Sequence, residues 1–255
     1  MMKKRLDVLL VERGLAESRA QAQALVLAGC VPGHSKAGEQ VEESAAIEVD
    51  RPAPYVSRGG EKLANALDRL AIDVEGEDCL DLGASTGGFT DVLLQRGAGR
   101  VIALDVGYGQ LYPKLRDDPR VAVLERVNAR ELRGLPFAPT FVTCDVSFIS
   151  LRLVLPPALA LAAPGWRALV LVKPQFEAGR EDVGRGGVVR DPEVHRRVLR
   201  EVAEAALQWE GRVAGVADSG LPGPKGNREF FLYLVHDPEP ALPDELDDWI
   251  DAAVG

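Results

Sequence analysis

Residues Cys79 to Asp91 read CLDLGASTGGFTD, and their pattern indicates the fold of the larger part of the chain. Its apolar start predicts a short buried strand that ends at Gly83. A run of small residues then leads to Gly87 and Gly88, after which an apolar helical pattern begins at Phe89. A strand, a glycine-rich turn and a helix in this order predict the start of a βαβ unit, in which a ligand can approach bare backbone.

The turn contains the acid Asp81 and no lysine of the P-loop type, so a nucleoside triphosphate fits it poorly. Its spacing D-x-G-x-x-x-G-x-F resembles the S-adenosylmethionine loop of class I methyltransferases, where the acid faces the cationic methionine end. The next buried strand ends at Asp105, 24 residues after Asp81. An acid at this spacing binds a ribose diol in dinucleotide-binding folds. An ordinary packed glycine turn is the alternative, and the two acids together make it the weaker interpretation.

The composition is that of a globular protein. The chain has 255 residues, of which 46% are hydrophobic and 27% charged, enough for one large and one small domain. Three widely spaced cysteines predict neither a disulfide framework nor a zinc site, and we expect a reducing cytoplasm and no metal: Cys30, Cys79 and Cys144. The histidines also lack metal-ligand spacing and are interpreted as structural or surface residues: His34, His195 and His236.

The net charge of −9 is concentrated at one end of the chain. Seven acids and no Lys or Arg lie between Asp237 and Gly255, so the other residues carry a net charge of only −2. Residues 1–36 contain six basic residues against three acids. A locally basic, RNA-binding face is therefore compatible with the acidic total.

Residues 3 to about 50 predict a separate small domain. An apolar stripe indicates one helix up to Gly14, and Ser18 is the expected N-cap of a second helix from Arg19 to Ala28. The pattern RLDVLLVERGLAESRAQAQALVLAGCV is similar to the small RNA-binding domain first described in ribosomal protein S four. The turn from Val31 to Lys36 departs from the Val-Asn-Gly and Lys-Pro pattern usual in that family. The resemblance implies RNA contacts from the helical half: Arg5, Arg13, Ser18, Arg19 and Gln23.

Alternating apolar strands and helices in the rest of the chain predict a Rossmann-like α/β fold with a doubly wound parallel sheet. The last two strands are joined by SGLPGPKGN without a helix, so we expect the final strand to run antiparallel. The stiff segment RPAP predicts the domain boundary. We expect an RNA-binding domain at 1–50, a linker at 51–57, a class I methyltransferase domain at 58–237 and an acidic tail at 238–255.

Four ionisable residues from distant segments are expected near the glycine turn. Asp145 and Lys173 each close an apolar strand, at the edge where ligands bind in such sheets. Glu229 begins the last strand and reaches the same edge if that strand is antiparallel. Lys62 lies in the first turn of a predicted helix. A lysine at the end of a buried strand is costly unless it is paired or reaches water, so a purely structural ion pair remains the alternative.

This set of residues suits methyl transfer to a weakly acidic hydroxyl. A sulfonium donor mainly requires in-line approach, whereas a ribose 2′-hydroxyl must lose its proton as the new bond forms. A lysine can remove that proton when burial and a second cation lower its pKa. We assign Lys173 as the base or hydroxyl-polarising group, Asp145 and Glu229 as orienting groups, and Lys62 as a contact to the acceptor or its phosphate.

The order Lys-Asp-Lys-Glu resembles the tetrad of ribose 2′-O-methyltransferases of the FtsJ/RrmJ type. With the N-terminal domain, the segments YVSRGGEKL, DLGASTGGFTD, CDVSFISL, LVKPQFE and GNREF resemble the TlyA family over nearly the whole chain. This resemblance implies S-adenosylmethionine as the cofactor and methylation of the ribose 2′-hydroxyl of cytidine in ribosomal RNA or ribosomal subunits. The cofactor-binding residues that it implies are Asp81, Gly83, Ala84, Ser85, Thr86, Gly87, Gly88, Phe89, Asp105, Asn128 and Asp145.

A glycine-rich loop, GREDVGRGGVVRD, follows Lys173 and carries three arginines. We expect it to become ordered on RNA, with its arginines on phosphates; a solvated loop is the alternative. The expected phosphate contacts outside the small domain are Arg58, Arg180, Arg185 and Arg190.

Two other classes of function stay open. TlyA relatives are also called haemolysin A, which suggests a membrane-lytic protein. Such a protein needs a secretion signal, a long apolar span or a basic amphipathic helix; the start MMKKRLDVLL becomes charged too early for a signal, and we expect no membrane partner. The second alternative is a non-catalytic RNA-binding protein that retains the cofactor fold, and the intact tetrad argues against it.

Overall fold

The computed structural model describes residues 3–16, 18–27, 30–49 and 54–255. The chain divides into two compact units, Met1–Pro54 and Tyr55–Gly255. The connector was expected at RPAP, of which residues 51–53 lie outside the described part. Ala28 and Gly29, at the expected end of the second helix, also lie outside it.

The small unit packs two helices beside a two-stranded sheet. Strand β1 (Lys3–Arg5) is followed by helices α1 (Leu6–Glu12) and α2 (Arg19–Leu27), and β1 pairs antiparallel with β2 (Gln40–Glu42). Apolar residues recur at helical spacing, so one face of each helix closes a core. That core contains Leu6, Leu9, Leu10, Ala16, Ala22, Val26, Val31 and Val41.

The large unit is built on one twisted sheet. Its seven strands are β3 (Asp78–Leu82), β4 (Arg100–Asp105), β5 (Val121–Glu125), β6 (Phe141–Cys144), β7 (Arg167–Val172), β8 (Gly211–Asp218) and β9 (Phe230–His236). They lie in the order β5-β4-β3-β6-β7-β9-β8. The first five strands are parallel, and β9 runs antiparallel to both β7 and β8. The predicted doubly wound sheet with an antiparallel last strand is confirmed.

Helices cover both faces of this sheet. They are α3 (Arg58–Arg69), α4 (Gly88–Gln95), α5 (Pro113–Arg116), α6 (Leu151–Leu159), α7 (Pro174–Glu177), α8 (Pro192–Ala206) and α9 (Leu246–Val254). The apolar side chains of α3, α4 and α5 form one core with residues such as Phe141 and Leu169. Those of α6, α8 and α9 form a second core with residues such as Val142 and Val170. Neighbouring strand residues alternate between the two cores, as the strand period of two requires.

The acidic segment 238–255 is not extended along its whole length, because it contains α9. Leu246, Ile250 and Val254 are buried against the second core. The guanidinium group of Arg228 donates to the carbonyl oxygens of Ala253, at 2.9 Å, and of Val254. A cation on the last carbonyl groups of a helix stabilises its negative end. The acids of this segment therefore lie partly on a helix that packs into the large unit.

The topology brings the expected chemistry to one edge of the sheet. Asp105 ends β4, Asp145 directly follows β6, and Lys173 directly follows β7. Because β9 is antiparallel, its first residue Phe230 pairs with Val172. This register places Glu229 at the same edge as the carboxyl ends of the parallel strands.

Candidate active site

Two ion pairs form the centre of the site. Lys62 Nζ lies 2.6 Å from Glu229 Oε2, and Lys173 Nζ lies 2.6 Å from Asp145 Oδ1. The second pair is in contact without the alignment of a good hydrogen bond, and Lys173 Nζ instead donates to Ser147 Oγ at 2.9 Å. Charged groups this poorly exposed are tolerated because each has a partner of opposite charge.

All four side chains line one cavity of about 210 Å³ beside the glycine turn. The structure therefore brings together lysines and carboxylates that the sequence places on four distant segments. The other lining residues come from the start of α3 and from the turn after β3: Ser57, Gly59, Gly83, Ala84, Ser85, Thr86, Gly88 and Phe89. We refer to this space as the small cavity.

The start of α3 reaches the small cavity because it packs directly on the glycine turn. A Cβ atom on Gly88 would lie 2.2 Å from Ser57 Oγ, so only glycine permits this approach. The amide of Val56 donates to Asp91 of α4 at 2.9 Å and fixes the chain just before the helix. The helix begins earlier than expected, at Arg58, so Lys62 lies in its second turn rather than its first.

A larger cavity of about 580 Å³ adjoins the small cavity and shares Gly83, Ser85 and Asp145 with it. Asp105 and Asn128, which the resemblance implies as cofactor contacts, lie on its wall. The Asp105 carboxylate accepts hydrogen bonds from the amides of Ser85, at 2.8 Å, and Gly107, at 2.6 Å. A carboxylate has room for about four donors, so Asp105 can still accept from a ligand.

The interpretation of Asp81 as a direct ligand contact needs correction. Its side chain is fully buried, and its oxygens accept from the amide and hydroxyl of Thr90, at 2.9 and 2.7 Å, and from Thr143 at 3.3 Å. Burial raises the pKa of Asp81 to about 7. Within the described residues it lines neither cavity. Asp81 therefore ties the glycine turn to α4 and β6.

Gly87 also lies behind the cavity wall. It has a φ of 95° at the start of α4, and an added Cβ would lie 2.4 Å from Leu115 Cδ1. Its amide donates to Ala84 O within the turn. Gly87 thus shapes the turn, whereas Gly83, Ala84, Ser85, Thr86, Gly88 and Phe89 reach the small cavity.

Four residues with contacts in the site were missed by sequence reasoning. Ser147 bonds Lys173, and Gln175 Nε2 donates to Glu229 Oε1 at 3.3 Å. Phe148 is 89% exposed with a φ of 64°, and its ring centroid lies 4.9 Å from that of Phe176. An exposed aromatic residue in the left-handed region is strained, and such strain clusters at functional sites. The only signal in the sequence was the position of these residues just after two strand ends.

In the small unit, three of the predicted RNA contacts meet on one buried acid. Asp7 accepts from the guanidinium groups of Arg5, at 3.0 Å, and Arg19, at 3.1 Å. It also accepts from the side-chain amide of Gln23 at 3.1 Å. The hydrogen bonds from Arg5 hold the pKa of Asp7 below its usual range despite its burial, and those from Gln23 and Arg19 add to this effect. The side chains of Arg5 and Arg19 stay about half exposed.

The other two predicted contacts of the small unit are Arg13 and Ser18. Arg13 donates to the carbonyl oxygens of Ala45, at 2.6 Å, and Glu43, at 2.5 Å. Ser18 lies just before α2, where its carbonyl accepts from the amide of Ala22 at 2.9 Å. The structure thus gives Arg13 a role inside the unit.

The arginines predicted to meet RNA in the large unit are exposed: Arg58, Arg180, Arg185 and Arg190. The guanidinium group of Arg58 donates to Pro222 O at 3.3 Å. His195 is buried, so of the two expected roles, structural or surface, it has the structural one: its ring packs 5.4 Å from that of Phe230, and burial lowers its pKa. His34 pairs with Glu39, and His236 Nε2 lies 3.2 Å from Glu210.

A search of the residues that the structure describes finds no group of histidine, cysteine and acid side chains able to hold a metal ion. Across those same residues, no helix is both long enough and apolar enough to cross a bilayer.

Comparison with known proteins covers both units. The family model described as FtsJ-like methyltransferase matches residues 55–236, and the model described as S4 domain matches residues 4–31. The 16S/23S rRNA (cytidine-2′-O)-methyltransferase TlyA of Mycobacterium tuberculosis is 48% identical over 246 residues, covering 93% of this chain and 92% of that protein.

Solved structures agree with these matches. The structure of a candidate hemolysin from Streptococcus thermophilus has a TM-score of 0.76 and 41% identity, covering 99% of this chain and 96% of that one. An S-adenosylmethionine-dependent methyltransferase from Mesorhizobium loti has a TM-score of 0.52 and 12% identity, covering 69% of this chain and 98% of that one. At this identity the second likeness shows the fold alone.

Proposed function

The chain belongs to the FtsJ-like methyltransferase family, with a TlyA-like arrangement of a small RNA-binding domain and a methyltransferase domain, and from this we propose that it methylates the ribose 2′-hydroxyl of a cytidine in ribosomal RNA. The observation that carries the proposal is that two lysine–carboxylate contacts line the small cavity. An ordinary structural ion pair needs no open space beside it. These two pairs line a cavity that shares lining residues with a second, larger cavity.

The residues around the larger cavity suit S-adenosylmethionine as the methyl donor. An adenosine needs an apolar slot with a few polar groups at its edge, and Leu104, Val127 and Ile149 line this cavity beside Asp105 and Asn128. Asp105 would hold the ribose hydroxyls, and the turn from Gly83 to Thr86 would hold the remaining, methionine part. When bound, this cofactor supplies an electrophilic methyl group.

The residues of the small cavity would remove the proton from the acceptor. Lys173 faces the space with its ammonium position set by Asp145 and Ser147. The Lys173–Asp145 pair would take the proton that the 2′-hydroxyl loses, while the methyl group supplied by the bound cofactor would leave its sulfur for the same oxygen. Fixing these groups in advance lowers the barrier because less reorganisation is needed during the reaction.

The second ion pair would hold the acceptor nucleotide. Lys62 offers a cation for the phosphate next to the reacting ribose, and Glu229 fixes its direction with help from Gln175. At the outer edge, the exposed ring of Phe148 lies against Phe176, whose ring centroid is 5.9 Å from Lys173 Nζ. Exposed aromatic rings stack on unpaired bases. We assign this aromatic pair to the base of the target nucleotide.

The small unit would supply affinity for the RNA. Asp7 bonds both Arg5 and Arg19, and each arginine side chain is about half exposed. Such a fixed arrangement loses little side-chain entropy when it meets phosphates, and it carries no base specificity.

Transfer of a labelled methyl group tests the proposal. The purified full chain is mixed with labelled S-adenosylmethionine and ribosomal subunits that lack the modification, and the RNA is digested to nucleosides. We expect label in 2′-O-methylcytidine. Label only in base-methylated nucleosides, or no transfer to RNA by the folded protein, would overturn the proposal.

A further inference from the structure

Two loops of the large unit are joined by one buried side chain. The first is the arginine loop, Gly179 to Asp191. The second is the β8–β9 loop, Ser219 to Asn227. Asn227 is 3% exposed, and it bonds the first loop twice: its Oδ1 accepts from the amide of Val189 at 3.1 Å, and its Nδ2 donates to Gly187 O at 3.0 Å.

The attached part of the arginine loop is a tight hairpin. Gly184 and Val188 form an antiparallel bridge, and Gly186 and Gly187 turn the chain with φ of 86° and 81°. Lys225 Nζ adds a bond to Gly186 O at 2.9 Å. The hairpin is thereby held at Gly186, Gly187 and Val189, all by side chains of the β8–β9 loop.

The hairpin is also fixed from the other side. Val189 is buried in the second core, and its carbonyl oxygen lies 3.1 Å from Nε2 of the buried His195. Because His195 bonds the carbonyl and Asn227 bonds the amide, the backbone of Val189 has no freedom to move without breaking a buried hydrogen bond. Such a break leaves a buried donor or acceptor without a partner, which disfavours the opened state.

The β8–β9 loop in turn covers a residue of the site. A Cβ atom on Gly223 would lie 2.2 Å from Glu229 Oε1, so the backbone of this loop packs directly on the carboxylate. The amide of Gly223 donates to Asn227 O at 2.8 Å. The residue that holds the hairpin therefore also closes the turn over Glu229.

The hairpin carries cations that have no partner within the described part of the chain. Arg185 lies in it and Arg190 directly follows it, and both are exposed. Exposed arginines on a fixed backbone suit the evenly spaced phosphates of RNA.

We propose that Asn227 is a positioning residue that holds the arginine loop against the β8–β9 loop. The phosphate-binding Arg185 and Arg190 and the site residue Glu229 then form one rigid surface that binds the acceptor RNA. This rests on the proposed function. Asn227 itself touches neither RNA nor cofactor. Its effect passes through the placement of Arg185 and Arg190.

The decisive variant is Asn227→Asp in the full chain. It keeps the oxygen that accepts from the amide of Val189 but replaces the donor to Gly187 O with a carboxylate oxygen, which repels that carbonyl oxygen. We expect the KM for ribosomal subunits to rise about tenfold while the Kd for S-adenosylmethionine stays within twofold of wild type. Trypsin cleavage after Arg185 should become about tenfold faster, since the hairpin opens more often.

Matched variants separate the effect of losing the Asn227 bonds from the effect of an added charge and from a general loss of stability. Gln208→Glu places the same added charge on an exposed residue of the large unit, and we expect it to behave as wild type. If Asn227→Asp does not fold, Lys225→Ala decides, with an expected threefold rise in both KM and cleavage rate. Combining Asn227→Asp with Arg185→Ala and Arg190→Ala should add little to the KM of the double arginine variant.

A folded Asn227→Asp with wild-type KM and wild-type cleavage would overturn the inference, as would equal losses of RNA and cofactor binding. Faster cleavage without any RNA effect would also overturn it. Failure of the wild type to methylate RNA would instead contradict the proposed function. The two failures can be told apart because the cleavage measurement reports on the hairpin without requiring methyl transfer.

Discussion

Lys62 Nζ lies 2.6 Å from Glu229 Oε2, although the two residues are 167 positions apart in the chain. Both are buried, so removing one partner leaves a charge without its counter-ion. We expect Glu229→Leu to lower the free energy of unfolding by about 3 kcal/mol or more, and Lys62→Met with Glu229→Leu to recover most of that loss. Neither variant should transfer methyl groups. Urea unfolding and a transfer assay check this; a double variant as unstable as the single one would contradict it.

The buried carboxyl of Asp81 should make stability depend on pH. Its pKa in the folded protein is raised to about 7 by burial, whereas an unfolded aspartate titrates near about 4. The folded state therefore binds more protons between these values, and this group's contribution to stability is lost as pH rises through 7.

Asp81→Asn keeps an acceptor for Thr90 and removes this titration. The free energy of unfolding of the variant minus that of wild type should thus increase from pH 5 to pH 8, measured by urea unfolding. A constant difference across that range would show that Asp81 does not titrate there.

The acid under the arginines of the small unit should matter for RNA binding. Asp7→Asn removes the charge that holds Arg5 and Arg19 together. We expect affinity for ribosomal RNA to fall about fivefold to tenfold, with unchanged affinity for S-adenosylmethionine. Arg13→Ala is the control, because Arg13 bonds only carbonyl groups of its own unit among the contacts described. Equal RNA affinity of Asp7→Asn and wild type would refute the role of this cluster.

Phe148 should affect activity far more than stability. Its ring is almost fully exposed, so Phe148→Ala and Phe148→Gly both remove a base-stacking surface, which is worth about 1–3 kcal/mol. We expect kcat/KM for RNA to fall at least tenfold in both variants. Phe148 has a φ of 64°, which glycine adopts more easily than alanine. The free energy of unfolding of the glycine variant should therefore be about 1 kcal/mol higher than that of the alanine variant. Wild-type kcat/KM in either variant would remove Phe148 from the site.

The sequence predicted the sheet and its functional edge because both follow from general rules. Apolar runs mark the strands, glycines mark the turns, and parallel strands present their carboxyl ends together. Asp145 and Lys173 could therefore be placed side by side without coordinates. Glu229 depended on one further inference, that a strand without a connecting helix runs antiparallel, and that inference is confirmed.

What the sequence could not supply is the direction of individual side chains. Asp81 pairs in register with Thr143 on β6, and that register turns its carboxylate inward. No periodicity in the sequence gives the register between strands 62 residues apart. The helix α9 was also missed, because seven acids in the last 19 residues conceal three apolar positions at helical spacing.

Lys173 is the residue on which the proposed methyl transfer depends most. Single-turnover methyl transfer from S-adenosylmethionine to ribosomal subunits, measured with Lys173→Met beside wild type, tests it directly. We predict at least a thousandfold lower rate, about 4 kcal/mol, with the Kd for S-adenosylmethionine within twofold of wild type. A folded Lys173→Met variant that transfers methyl groups at a rate within tenfold of wild type would contradict the account.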